Sequence, residues 1–64
     1  MAFDDHRITR QIVLDCIESK ERITVREIMF ETGLSRPVVS YHVKTLKNMG
    51  LITKSEIYDF WEKI

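Results

Sequence analysis

Between Gly33 and Ser55 the chain carries four charged side chains, Arg36, Lys44, Lys47 and Lys54, and each is a cation. The rest of the chain sets all ten acids against six bases, so a molecule of zero formal net charge is dipolar. Ser35, Ser40, Tyr41 and Asn48 lie among those cations and supply hydroxyl and amide groups. Cations of this kind neutralise phosphates, and their polar neighbours hydrogen-bond to phosphates or base edges. No other chemistry finds its residues. Nothing pairs a nucleophile with a base, and a chain this short has little room for a buried catalytic pocket, which argues against an enzyme. Cys16 is the only cysteine, so no disulfide forms, and no Cys-x-x-Cys or histidine-rich cluster offers a metal site. His6 beside Asp4 and Asp5 reads as a charged helix start rather than a ligand set. No cofactor and no small-molecule ligand is called for. A solvated helix face would show the same charges, so the reading depends on the element that holds them.

That element is the third of three expected helices. Residues 5–20 form the first, with Ile8, Ile12, Val13, Cys16 and Ile17 at helical spacing and Asp4 and Asp5 at its start. The β-branched Arg22-Ile23-Thr24-Val25 is long enough only for a single extended segment. Thr24 and Glu27 then suit a capping box, in which hydroxyl and carboxylate each satisfy a backbone N–H of the other. A second helix over 25–32 turns Val25, Ile28 and Met29 inward and ends at Gly33, where a left-handed residue is wanted. Ser35 can cap the third helix, Pro37 fits its first turn, and Gly50 closes it. A turn this tight makes the two helices cross steeply.

Advancing about 100° per residue sorts the third helix into two arcs. Val38, Val39, His42, Val43, Leu46 and Met49 share one. Arg36, Pro37, Ser40, Tyr41, Lys44, Thr45, Lys47 and Asn48 share the other, which holds every cation of the helix. One side is core and the other is a cationic, hydrogen-bonding surface. His42, on the apolar arc, is expected to be a buried, hydrogen-bonded histidine, and Cys16 a small core residue.

The tail admits two structures. Residues 51–54 suit a strand, and a second strand returning beside it would make a β-wing. Ser55-Glu56 is a poor two-residue hairpin turn, whereas Ile57, Phe60, Trp61 and Ile64 fall at i, i+3, i+4 and i+7. A short C-terminal helix is therefore the favoured expectation. Its stripe either folds back onto the first helix or pairs with a second copy. A 64-residue domain buries only about 60% of its unfolded surface, so homodimerisation through Ile57, Phe60, Trp61 and Ile64 is expected. The lone thiol and the lack of any long apolar run place the single domain, residues 1–64, in the cytoplasm. It would be nucleoid-associated, or in a host's cytoplasm if viral.

From Ile23 to Ile52 the sequence resembles the winged helix-turn-helix core of prokaryotic and viral transcription regulators of the LexA, MarR and ArsR kinds. Arg26-Glu27-Ile28, Gly33-Leu34-Ser35, and the run from Ser40 through His42-Val43-Lys44 and Leu46 into Gly50-Leu51-Ile52 carry the resemblance. It implies a mainly α fold of three helices with a minimal or missing β-wing. It also implies that residues 36–48 enter the major groove of double-stranded DNA, with Ser35, Arg36, Pro37, Ser40, Tyr41 and Lys44 facing it. Arg36, Ser40 and Tyr41 are the expected base readers. Lys44, Lys47 and Lys54 are expected to hold the phosphate backbone, and Asn48 is a further expected DNA-binding residue. Three features depart from that pattern. Met29 stands where a small residue is usual, Lys54 is the only evident wing cation, and nothing in these residues resembles an effector domain or a Cys-x-Cys sensor. The expected molecule is a dimeric, sequence-specific transcriptional regulator, by default a repressor. The alternatives are a winged-helix protein-interaction adaptor and an accessory factor of replication or recombination.

Overall fold

The computed structural model describes residues 5–56 and 58–64. The expected cap at Asp4 and the stripe residue Ile57 lie outside them. Three helices, α1 (Asp5–Ser19), α2 (Val25–Thr32) and α3 (Arg36–Asn48), precede two short strands, β1 (Ile52–Lys54) and β2 (Trp61–Lys63). The helices pack on one another in all three pairings, β2 lies on α1, and β1 lies beside α3. Their common core is Val13, Ile17, Ile23, Ile28, Val39, Val43, Leu46, Ile52 and Trp61, with His42 buried among them.

Local chemistry sets each helix boundary. At the start of α2 the capping box forms in full. Glu27 N–H donates to Thr24 Oγ1 and Thr24 N–H to Glu27 Oε1, both at 3.1 Å. At its end Gly33 takes φ 74° and its N–H reaches Met29 O at 2.8 Å. The connection to α3 is held from within. Thr32 Oγ1 donates to Ile28 O and accepts from Leu34 N–H, and Leu34 packs against the core. At the far end of α3, Gly50 takes φ 79°. Its N–H bonds Lys47 O at 3.0 Å while Leu51 N–H bonds Leu46 O at 3.1 Å. This paired closure satisfies carbonyls that a helix end otherwise leaves orphaned.

The tail corrects the favoured expectation. Residues 61–63 form a strand, not part of a C-terminal helix, and β1 pairs with β2 antiparallel in the register Ile52↔Lys63, Thr53↔Glu62, Lys54↔Trp61. A small wing is therefore present. Its turn is not the two-residue Ser55-Glu56 corner, because Ser55 N–H donates to Phe60 O at 2.9 Å and the loop spans 55–60. Tyr58 N–H donates to Ser55 Oγ within it. The helical spacing of the stripe lost to a tertiary pairing. Ile23 and Trp61 exchange both backbone hydrogen bonds, at 3.1 and 2.7 Å, and this fixes Trp61 in the core at 7% exposure. The extended segment expected at 22–25 is the partner that makes this possible. Phe60 is half-buried and Ile64 is exposed.

The first helix differs from expectation as well. Val13 and Ile17 are fully buried, but Ile8 and Ile12 are 57% and 46% exposed. The apolar stripe of α1 is wider than the surface available to cover it. Met29, the large residue in α2, is accommodated half-buried against the core.

Trp61→Ala should cost about 3–5 kcal/mol, as large aromatic truncations in cores do. That approaches the whole stability of a domain this small, so the variant should be largely unfolded in urea titrations that leave Ile64→Ala within about 0.5 kcal/mol of the parent.

Candidate nucleic-acid interface

The two arcs of α3 separate in the structure as their chemistry requires. Val39, His42, Val43 and Leu46 are buried, while Arg36, Pro37, Tyr41, Lys44, Lys47 and Asn48 are exposed and Ser40 is half-buried. The apolar arc is narrower than its sequence suggests, since Val38 and Met49 at its margin are 37% and 55% exposed. The start of the helix is open. Ser35 holds the extended backbone of a cap, φ −74° and ψ 159°, yet its side chain makes no capping bond. That corrects its expected role as a hydroxyl cap and leaves the hydroxyl exposed beside Arg36. Pro37 contributes no N–H to the first turn.

Four of the other bases are ion-paired. Lys20 meets Glu31, Arg22 meets Glu62 and Lys63 meets Glu18, each at 3.7 Å. Lys54 lies 3.0 Å from Asp59 across the wing loop. Among the described residues no ion pair includes Arg36, Lys44 or Lys47. Among the described residues these four pairs lie away from α3, whose exposed arc keeps its positive charge. Exposed pairs of this kind contribute little to stability; their effect here is on where the uncompensated charge lies. Lys54, expected to be a phosphate contact like the others, already has an anionic partner. Thr45 is likewise committed, its hydroxyl donating to Tyr41 O at 3.0 Å.

Tyr41 is 53% exposed and stands edge-on to His42, ring centroids 5.1 Å apart and planes at 71°. His6 of α1 also reaches it, at 5.9 Å. Tyr41 is therefore both a rim residue of the core and a surface group, with its ring seated on two imidazoles. Nothing in the sequence around His6 pointed to this meeting, because it joins residues 35 positions apart on the first and third helices.

His42 is 1% exposed, and the expectation of a hydrogen-bonded core histidine fails at Nδ1, which has no partner. Burial pushes its pKa below the ordinary histidine value, helped by the positive charge of Arg10 and then by His6. Cys16 is partly buried and its thiol is raised, first by burial and then by the nearby Glu31 carboxylate. A neutral, packed thiol is what a small core residue requires. Among the described residues no cluster of three histidine, cysteine or acidic side chains is placed to hold a metal ion, and no helix is long and apolar enough to cross a membrane.

Residues 9–54, well over half of the chain, match the family described as bacterial regulatory protein, arsR family. The backbone is also similar to the crystal structure of an IclR family transcriptional regulator from Brucella abortus, with a TM-score of 0.88 at 24% identity. That similarity covers 95% of this chain and 24% of the regulator, so the chain spans about a quarter of its length. It fixes the fold as a winged helix-turn-helix. No curated protein matches the sequence.

Because the folded-state pKa of His42 is depressed, the unfolded chain takes up its proton first as pH falls. Stability is therefore full above the unfolded value and declines as pH drops through it toward the folded one. Urea midpoints should fall between about pH 7.5 and about pH 5.5, and His42→Leu should remove most of that decline.

Proposed function

We propose that this chain, which belongs to the ArsR family of bacterial regulatory proteins and is a DNA-binding transcriptional regulator rather than an enzyme, lays α3 in the major groove of a specific operator and represses by occupying it. The observation that carries the proposal is the gathering of Arg36, Lys44 and Lys47 on the exposed arc of α3, none of them in an ion pair among the described residues. Arg36 is the principal base reader, since its guanidinium can bond a guanine bidentately from the first turn of the helix. Ser35, Pro37, Ser40 and Tyr41 line the same end. Lys44, Lys47 and Asn48, further along, hold the phosphate backbone. Lys54 contributes less, because moving to a phosphate means leaving Asp59.

Two copies reading half-sites about one helical turn apart suit a protein with a single recognition helix. Pairing through the tail rests on Ile64 and the half-buried Phe60, with Trp61 committed to the core. Ile8 and Ile12, one turn apart on α1 and both exposed, offer further apolar surface for a second copy.

Anisotropy titrations on the DNA upstream of the gene test the reading. Affinity should fall steeply with salt. Lys44→Ala should reduce the slope of log K against log salt by about 1 per protomer without changing sequence preference. Arg36→Ala should cost about 1–3 kcal/mol on the specific site and relax the preference at one base pair, while Lys54→Ala should change the slope less than Lys44→Ala. A response flat in salt, or equal effects of Lys44→Ala and Glu56→Ala, would overturn it.

A further inference from the structure

Among the described residues two buried side-chain nitrogens have no hydrogen-bond partner, Arg10 Nε and His42 Nδ1. They belong to facing helices, α1 and α3, and the charge of Arg10 acts on His42. Two cavities line the same seam. One, about 360 Å³, lies between His6 and Thr9 of α1 and Pro37, Val38, Tyr41 and His42 of α3. The other, about 300 Å³, is lined by Arg7, Arg10, Gln11 and Leu14 of α1 with Leu46, Met49 and Leu51. Arg10 is one helical turn from both His6 and Leu14, and His42 one turn from both Val38 and Leu46. Arg10 lines the smaller cavity and His42 the larger, so each orphaned nitrogen belongs to a residue lining a cavity of this seam.

Unsatisfied buried polar groups are rare and call for a missing partner. At Arg10 the missing partner is an anion. No ion pair of the described residues includes its guanidinium, although acids pair with Lys20, Arg22, Lys54 and Lys63 elsewhere. The amide of Gln11, on the same rim, is already bonded to Asp15 at 2.8 Å. The floor of the smaller cavity is Leu14, Leu46, Met49 and Leu51, of which Met49 and Leu51 are 55% and 39% exposed. An apolar floor under a planar cation is the arrangement that holds an amphiphilic anion, with the guanidinium fork matching a carboxylate.

We infer that the seam between α1 and α3 binds a small carboxylate with an apolar body, its carboxylate on Arg10 and its body over Leu14, Leu46, Met49 and Leu51. The size of the cavity suits a short aliphatic or single-ring aromatic acid. Such a ligand wedges between α1 and the helix that carries Arg36, Lys44 and Lys47, so occupancy alters how that helix is presented. This last consequence rests on the proposed DNA reading; the site itself does not.

The test is DNA-free NMR on the whole chain with hexanoate and benzoate as probes, and hexanol and benzyl alcohol as neutral counterparts. The methyl resonances of Leu14, Leu46 and Met49 should shift saturably with the acids. The His42 titration midpoint should rise, because a carboxylate on Arg10 offsets the charge that holds it down. Arg10→Gln, which keeps the length and polarity of the side chain, should weaken acid binding roughly tenfold or more and abolish the His42 shift. Absence of saturable shifts up to about 10 mM acid, where even a ligand of millimolar affinity would register, overturns the proposal. So does an equal response to the alcohols, or undiminished binding by Arg10→Gln. Shifts of the same methyls with protein concentration alone would assign the groove to a second copy and overturn it too. Anisotropy on operator DNA with and without acid then tests the consequence separately, since the NMR result stands whether or not DNA binds.

Discussion

Every functional feature of this domain follows from the burial of one face of α3. Val39, His42, Val43 and Leu46 can reach the core only if the helix is held at one rotation about its axis. With about 100° per residue, that rotation leaves Arg36, Ser40, Tyr41, Lys44, Lys47 and Asn48 no position but outside. The apolar contacts are non-directional and strong, while the exposed pairs are weak. The core therefore decides the orientation, and the charges follow. The sharp turn at Gly33 and the closure at Gly50 fix where the helix begins and ends.

The same burial explains why most of the fold was legible in the residues. Helix boundaries here are set by local chemistry: the Thr24–Glu27 box and two glycines at positive φ. The division of α3 was readable because its apolar and cationic residues alternate at the helical period. The wing was not readable in this way. Ile57, Phe60, Trp61 and Ile64 have helical spacing, and only the pairing of Trp61 with Ile23, remote in sequence, overrides it. A pattern held within ten residues cannot register a partner nearly forty residues away. The exposure of Ile8 and Ile12 has the same origin, since how much of a stripe is covered depends on what lies opposite. Likewise the Ser35 hydroxyl could be placed at a cap position from sequence, but not its failure to bond there.

Charge shows the limit of composition most plainly. A neutral chain gave no sign of a polyanionic partner, and the sign came only from position. The structure adds a second level, because position does not distinguish Lys54 from Lys44. Both lie in the acid-free stretch, and only the folding of the wing brings Asp59 within 3.0 Å of the former. Among the described residues three cations on one helix face are in no ion pair, while four elsewhere are paired. In salt of cellular strength, fields decay over about 8 Å, so a phosphate near α3 meets that local positive face and not the neutral total.

The seam between α1 and α3 is the one place where this economy of charge and burial fails. A core built by apolar contacts normally leaves few polar atoms without partners, and here both orphaned nitrogens of the described residues belong to the facing helices α1 and α3. His42 occupies a position where a leucine would pack without that penalty, and its neutral imidazole lies within the field of Arg10. The two residues make the seating of α3 sensitive to local charge, since a proton on His42 or an anion beside Arg10 changes the electrostatic balance in opposite directions. Stability alone is a poor reason for this pair. Under the proposed ligand reading the pair has a different use, because a shift at the seam would reach the exposed arc through α3 itself.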